Sequence, residues 1–153
     1  MIKYEMKEYF AERLKQGADE HDLRLWYVAY YADTSEAFLR SCLKLKKLPR
    51  LDSLILIAEL FQCTVNELLG YKFVEVEPRT ELFNQGIDTK RVVDYFMREL
   101  SKRGFELDNF QFNEYGMDVE FRRCVRTRRF PSTDAFLQIC DALDCTPSDL
   151  LGY

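Results

Sequence analysis

The sequence predicts an all-α protein of two tandem domains, each of five short helices, over residues 1–71 and 88–153 with a linker at 72–87. Three observations lead there: an internal duplication, apolar residues at helical spacing in both copies, and helix-capping signals at matching places. Shifted by 82 residues, LPRLDSLILIAELFQCTVNELLGY (48–71) lies over FPSTDAFLQICDALDCTPSDLLGY (130–153) with nine of twenty-four positions identical. Arg40 over Arg122 and Cys42 over Cys124 keep that shift, whereas Tyr9, Phe10 and Leu14 lie over Tyr95, Phe96 and Leu100 at a shift of 86. The second copy is therefore four residues shorter between its first and third helices. A long period with only two copies indicates tandem domains and not a solenoid.

Each element follows from spacing. Met6, Phe10 and Leu14, and in the second copy Val92, Phe96 and Leu100, mark a first helix. Leu23, Val28 and Ala29 indicate a second. Asp33-Thr34-Ser35-Glu36 supplies cap residues for a third, with Leu39, Cys42 and Leu43 as its inner face, and Gly116 and Asp118 punctuate the second copy in the same way. Leu54, Ile57, Ala58 and Phe61, like Phe136, Ile139, Cys140 and Leu143, recur at i, i+3, i+4, i+7, the signature of an amphipathic fourth helix. It follows Pro49 or Pro131, and Asp52 or Asp134 falls in its first turn, where the helix dipole favours a negative charge. Thr64 with Glu67, and Thr146 with Asp149, have capping-box spacing for a fifth helix; Pro147 suits its first position and Gly70 or Gly152 its end. Weak alternation at Phe73, Val74 and Val76 leaves a short extended segment open within the linker.

The net charge of -4 and pI near 5.2 count against nucleic-acid binding only as averages. Residues 39–50 (LRSCLKLKKLPR) and 122–131 (RRCVRTRRFP) each carry +5 and no carboxylate, while the four remaining segments are all acidic. A local basic footprint matters more to a phosphate backbone than the total, because exposed charges are screened beyond roughly 8 Å at physiological salt. The alternative is that each block is a solvated helix end favoured by the C-terminal dipole.

Pro, a cap acid, an apolar helix, a short capped helix and Leu-Leu-Gly-Tyr together resemble the C-terminal half of a Cro/repressor-type (xenobiotic-response-element type) helix-turn-helix domain, in both copies. Leu23, Val28, Ala29, Ala32 and Leu39 fall where such domains bury their helix-turn-helix residues. Asp33 takes the place usually held by a turn glycine, and Gly116 sits one residue out of register with the downstream match. The resemblance implies a phage-repressor-like fold whose third helix enters a DNA major groove, where arginine can present paired donors to guanine. The outward positions are then Glu36, Ala37, Arg40, Ser41 and Lys44 in copy one, and Glu120, Arg122, Arg123 and Arg126 in copy two. Lys46, Lys47 and Arg50, with Arg128 and Arg129, would lie along the backbone and position the domain without reading sequence.

Other chemistries have little support. Cys42 pairs with Cys124 and Cys63 with Cys145 across the repeat on apolar faces, which favours buried reduced thiols. With no CxxC and one histidine, a zinc site lacks ligands; His21, among Asp19, Glu20 and Asp22, reads as a solvated turn residue. No phosphate loop, nucleophile elbow or acid–base pair is present, so neither an enzyme nor a cofactor is expected. The tyrosines and Trp26 of LRLWYVAYYAD either pack the core or form a surface for a homodimer or protein partner.

The leading expectation is a cytoplasmic repressor-type transcriptional regulator that binds double-stranded DNA at two adjacent half-sites, with no membrane span and no signal peptide. Sixteen linker residues extend to at most roughly 55 Å, beyond the ~34 Å between half-sites one turn apart. The alternative is a protein-interaction module on the same scaffold: an antitoxin, an antirepressor or an inhibitor of a nucleic-acid enzyme. Because Gly152-Tyr153 closes both the second copy and the sequence, no appended sensing domain is expected, and regulation would act through abundance, a partner or self-association.

Overall fold

A computed structural model of the chain describes residues 2–45, 47–71 and 88–153. The expected linker, its weak alternation at Phe73, Val74 and Val76, and Lys46 lie outside the described residues. Among the described residues every regular element is helical, so the protein is all-α. The chain divides into two compact units, Met1–Glu75 and Val76–Tyr153.

Unit one holds α1 (Ile2–Glu20), α2 (Leu25–Tyr31), α3 (Glu36–Leu45), α4 (Leu51–Leu60) and α5 (Val65–Leu69). Met6, Phe10 and Leu14 form the buried stripe of α1, as their spacing of four requires. α1 packs on α3 and α5, and α2 packs on α3 and α4. α4 is buried on nearly every side, through Leu51, Ser53, Leu54, Ile55, Ile57 and Ala58, the position an almost wholly apolar helix must take. Its one buried hydroxyl is satisfied: Ser53 Oγ donates to the Ala32 carbonyl at the end of α2, at 2.9 Å. Leu23, expected in the core with Val28, Ala29, Ala32 and Leu39, is only half-buried; the other four are fully buried.

Unit two holds α6 (Thr89–Lys102), a 3-10 turn (Leu107–Asn109), α7 (Met117–Thr127), α8 (Thr133–Ala142) and α9 (Pro147–Leu151). The expected five helices per copy are thus met in unit one, whereas unit two has no α-helix between α6 and α7. Residues 103–116 are instead held by aromatic packing and one buried amide. Phe105 and Phe112 pack on Phe121 with ring centroids 5.6 and 5.9 Å away, and Phe110 bridges to both. Gln138 Oε1 accepts the Asn113 backbone N–H at 2.8 Å from within the core. The four-residue offset has a simple cause: Lys102 aligns with Gln16, so α1 runs about one turn further than α6, to Glu20. That extra turn contains Gly17, where an added Cβ would come within 2.5 Å of the Phe61 ring. His21 stacks on the same ring at 5.7 Å, and its Nε2 lies 3.1 Å from the Phe61 carbonyl oxygen. His21 is exposed as expected, yet it caps the α1–α4 junction and does not stand free in a turn.

Both closing helices carry full capping boxes. Thr64 Oγ1 accepts from Glu67 N at 3.1 Å while Glu67 Oε2 accepts from Thr64 N at 2.9 Å. In unit two, Thr146 and Asp149 make the same exchange at 3.3 and 2.8 Å. Helix ends elsewhere use the left-handed region without glycine, at Asp22, Asp33, Gln62, Arg128 and Asp144, with φ between 50° and 55°.

Two stability outcomes follow from this packing. Thr64→Ala or Thr146→Ala removes one cap and lowers unfolding free energy by about 1 kcal/mol, read as an earlier urea midpoint; an unchanged midpoint refutes the role of the cap. Gly17→Ala improves helix propensity but overfills the Phe61 contact, so a net loss of about 1–3 kcal/mol is expected; a gain in thermal midpoint would contradict it.

Candidate nucleic-acid interface

The two basic blocks ride on α3 and α7 and the turns that follow them. On α3, Leu39 and Cys42 face the core, so Ala37, Arg40 and Lys44 are turned outward and exposed; Leu43, expected on the inner face, is half-buried at its edge. On α7, Met117, Phe121 and Cys124 are buried at i, i+4, i+7, and Arg122, Arg123 and Arg126 lie on the opposite side, all exposed. Helical geometry alone thus turns the two cation-bearing faces to solvent. Ser35 Oγ accepts from Phe38 N at 3.0 Å and so caps α3. Ser41 is half-buried, and its hydroxyl donates to the Phe38 carbonyl at 2.7 Å within its own helix.

Free of carboxylates in sequence, the blocks meet several in space. Arg40 pairs with Glu36 at 2.6 Å and Arg50 with Asp52 at 3.4 Å. Arg122 reaches Asp108 of the 3-10 turn at 3.3 Å, and Arg128 reaches Asp94 of α6 at 2.6 Å. All four arginines keep most of their side chains in solvent. Exposed pairs of this kind contribute roughly 0–1 kcal/mol, so a phosphate or a base edge can displace them at small cost. Lys44, Lys47, Arg123, Arg126 and Arg129 are exposed and have no carboxylate partner among the described residues. They form the least neutralised part of each block.

The turns before α3 and α7 differ. Asp33 adopts φ 55°, the left-handed geometry a turn glycine would take, and Thr34 N closes back on the Ala29 carbonyl at 3.0 Å. Unit one therefore has a complete helix, turn and helix across α2 and α3. Gly116 is also left-handed, at φ 84°, but it directly precedes α7 and ends no helix. Its one-residue offset in sequence reflects this different job.

In and just before α7, three exposed apolar groups lie outside the expected set: Val119 (58% exposed), Val125 (44%) and Tyr115. Their signal was present in sequence, since α7 has more apolar residues than its buried stripe needs. The aromatic α2 splits by face. Val28 and Ala29 are buried; Trp26, Tyr27 and Tyr30 are 56%, 38% and 79% exposed. Trp26 and Tyr27 meet edge to face at 5.9 Å. Tyr31 is half-buried and donates to Glu59 Oε2 at 3.0 Å; burial, reinforced by that carboxylate, pushes its phenol above the usual value. Of the two roles open to these aromatics, exposure favours the surface one.

The five cysteines are free thiols; Cys42, Cys124 and Cys140 are buried, whereas Cys63 and Cys145, expected to be buried too, are only partly covered in the turns after α4 and α8. Among the described residues, no group of three or more His, Cys, Asp or Glu is arranged to hold a metal ion. Burial pushes Cys42 up to about 11 and Cys63 up to about 12. Cys145, in the turn between α8 and α9, is held below the usual thiol range by a hydrogen bond with the Cys140 thiol, whose own ionisation burial opposes. No described helix is long and apolar enough to cross a membrane. Compared with known proteins, the chain matches no family model, no curated protein and no solved structure.

The thiols supply a pH-dependent outcome. Because the thiolate is the nucleophile, iodoacetamide at pH 8 should label Cys145 ahead of Cys42 and Cys63, and raising the pH should close the gap. Peptide mass spectrometry reads the order, and earlier labelling of Cys42 or Cys63 contradicts it.

Proposed function

We propose that this chain is a sequence-specific, double-stranded DNA-binding transcriptional regulator acting in the cytoplasm, whose two helix-turn-helix-type units occupy adjacent half-sites. The observation that carries this reading is the matched outward face of α3 and α7: each is set on a buried stripe and presents cations with weak or no carboxylate partners. A major groove admits one α-helix, and its base edges suit the paired donors of arginine. Arg40 and Lys44 on α3, and Arg122, Arg123 and Arg126 on α7, would meet base edges or flanking phosphates. Lys47, Arg50, Arg128 and Arg129 would hold the backbone, as would Lys46, which the sequence alone assigns there. Val119 would offer an apolar surface to a thymine methyl group. The complete helix-turn-helix of unit one makes it the stronger candidate for base reading.

A second reading, a protein-interaction module, is favoured by one specific observation: the exposed cluster of Trp26, Tyr27 and Tyr30. Aromatic side chains concentrate at the centres of protein interfaces, and this cluster would serve a homodimer or a protein partner.

Selection from random duplexes, followed by fluorescence anisotropy at several salt concentrations, separates the two. DNA binding predicts an enriched motif and a log affinity that falls by about 0.9 per phosphate neutralised against log salt. Arg123→Ala and Arg126→Ala should each cost about 1–3 kcal/mol of binding, while Trp26→Ala should leave it unchanged. If no duplex is enriched at low salt and a stoichiometric partner is lost with Trp26→Ala, the DNA reading fails and the second stands.

A further inference from the structure

An apolar cleft of about 390 Å³ opens at the C-terminal end of α6, between that helix, the 3-10 turn and α7. Its walls are Met97, Leu100, Phe105, Phe121 and Val125, and Arg122 and Arg126 stand at its rim. Its origin is the shortened first helix of unit two. α6 stops one turn sooner than α1, and the chain that follows runs through Phe105 and Leu107 to the 3-10 turn without forming an α-helix. The volume lies at the lower end of the roughly 300–1,000 Å³ of small-molecule sites, which combine apolar walls with a few polar groups.

We propose that this cleft is a binding site for a small amphipathic carboxylate, a medium-chain fatty acid or an arylalkanoate, with its hydrocarbon among Leu100, Phe105 and Phe121 and its carboxylate on Arg122 and Arg126. Charge decides the head group. Arg122 and Arg126 lie one helical turn apart on the same side of α7. Arg126 has no carboxylate partner among the described residues, and Arg122 already holds one, Asp108 at 3.3 Å, in an exposed pair that an incoming carboxylate can replace. Size decides the tail, because a long lipid chain exceeds the cleft. The site differs from the DNA face in what it recognises but shares two side chains with it. Ligand and DNA would therefore compete for Arg122 and Arg126, a consequence that rests on the DNA reading, whereas occupancy of the cleft does not.

The test is made on the full chain without DNA, so that failure of either reading is seen separately. Titration with octanoate, followed by calorimetry and by the methyl resonance of Met97, should give saturable binding with a shift at Met97. 1-Octanol, which lacks the charge, should bind at least about tenfold more weakly, and octylammonium should not bind. Arg126→Ala, at an exposed position, should lower octanoate affinity about tenfold while leaving octanol unchanged. Val125→Trp, which fills the mouth, should abolish binding of both. Equal affinity for octanoate and octanol, the absence of a Met97 shift at millimolar ligand, or self-association of the chain that closes the cleft against octanoate would each overturn the proposal. Circular dichroism melts establish that both variants remain folded.

Discussion

The structure depends first on the burial of one helix per unit. α4 and α8 are enclosed on almost every side: Leu54, Ile55, Ile57 and Ala58 in one, and the unbroken run from Ala135 to Cys140 in the other. Such helices have no stable exposed alternative, since burial of each large aliphatic or aromatic side chain contributes on the order of 1.5–3 kcal/mol. The closing helices complete that enclosure. α5 packs on α1 and α4, and α9 packs on α6 and α8. Seen from this centre, the charged faces of α3 and α7 are a by-product of packing: their apolar stripes join the core, and whatever lies opposite is presented to solvent.

Much of this was legible in the sequence because it rests on local rules. The 3.6-residue period marked α4 and α8, and the Thr64/Glu67 and Thr146/Asp149 spacing marked the caps that the side chains in fact form. Asp33 in place of a turn glycine proved no obstacle, because aspartate tolerates the left-handed region better than most residues. The missing second helix of unit two was harder to see. Its traces are substitutions at positions far from the segment itself: Ser53, which bonds the end of α2, is replaced by Ala135, and Leu56 by Gln138, which holds Asn113. Each becomes meaningful only when its partner is known to lie against it.

The charge pattern shows the same limit. Counting by segment found the two basic blocks, but the ionic partners of the second come from elsewhere in the chain. Asp94 is 34 residues from Arg128, and Asp108 is 14 from Arg122. No short linear window contains both members. Since these pairs are exposed, each contributes only about 0–1 kcal/mol and leaves its arginine exchangeable.

The helix ends held by Asp22, Gln62, Arg128 and Asp144 in left-handed backbone carry a wider consequence. An L-residue in that geometry costs roughly 1–2 kcal/mol relative to the right-handed form, and here the cost falls on exposed junctions while the core remains unstrained. The fold therefore has thermostability in reserve at its surface. Glycine or asparagine at positions 22, 62 and 144 would draw on it while leaving the buried helices and the outward faces of α3 and α7 as they are, which gives this scaffold room to absorb destabilising changes elsewhere during evolution or engineering.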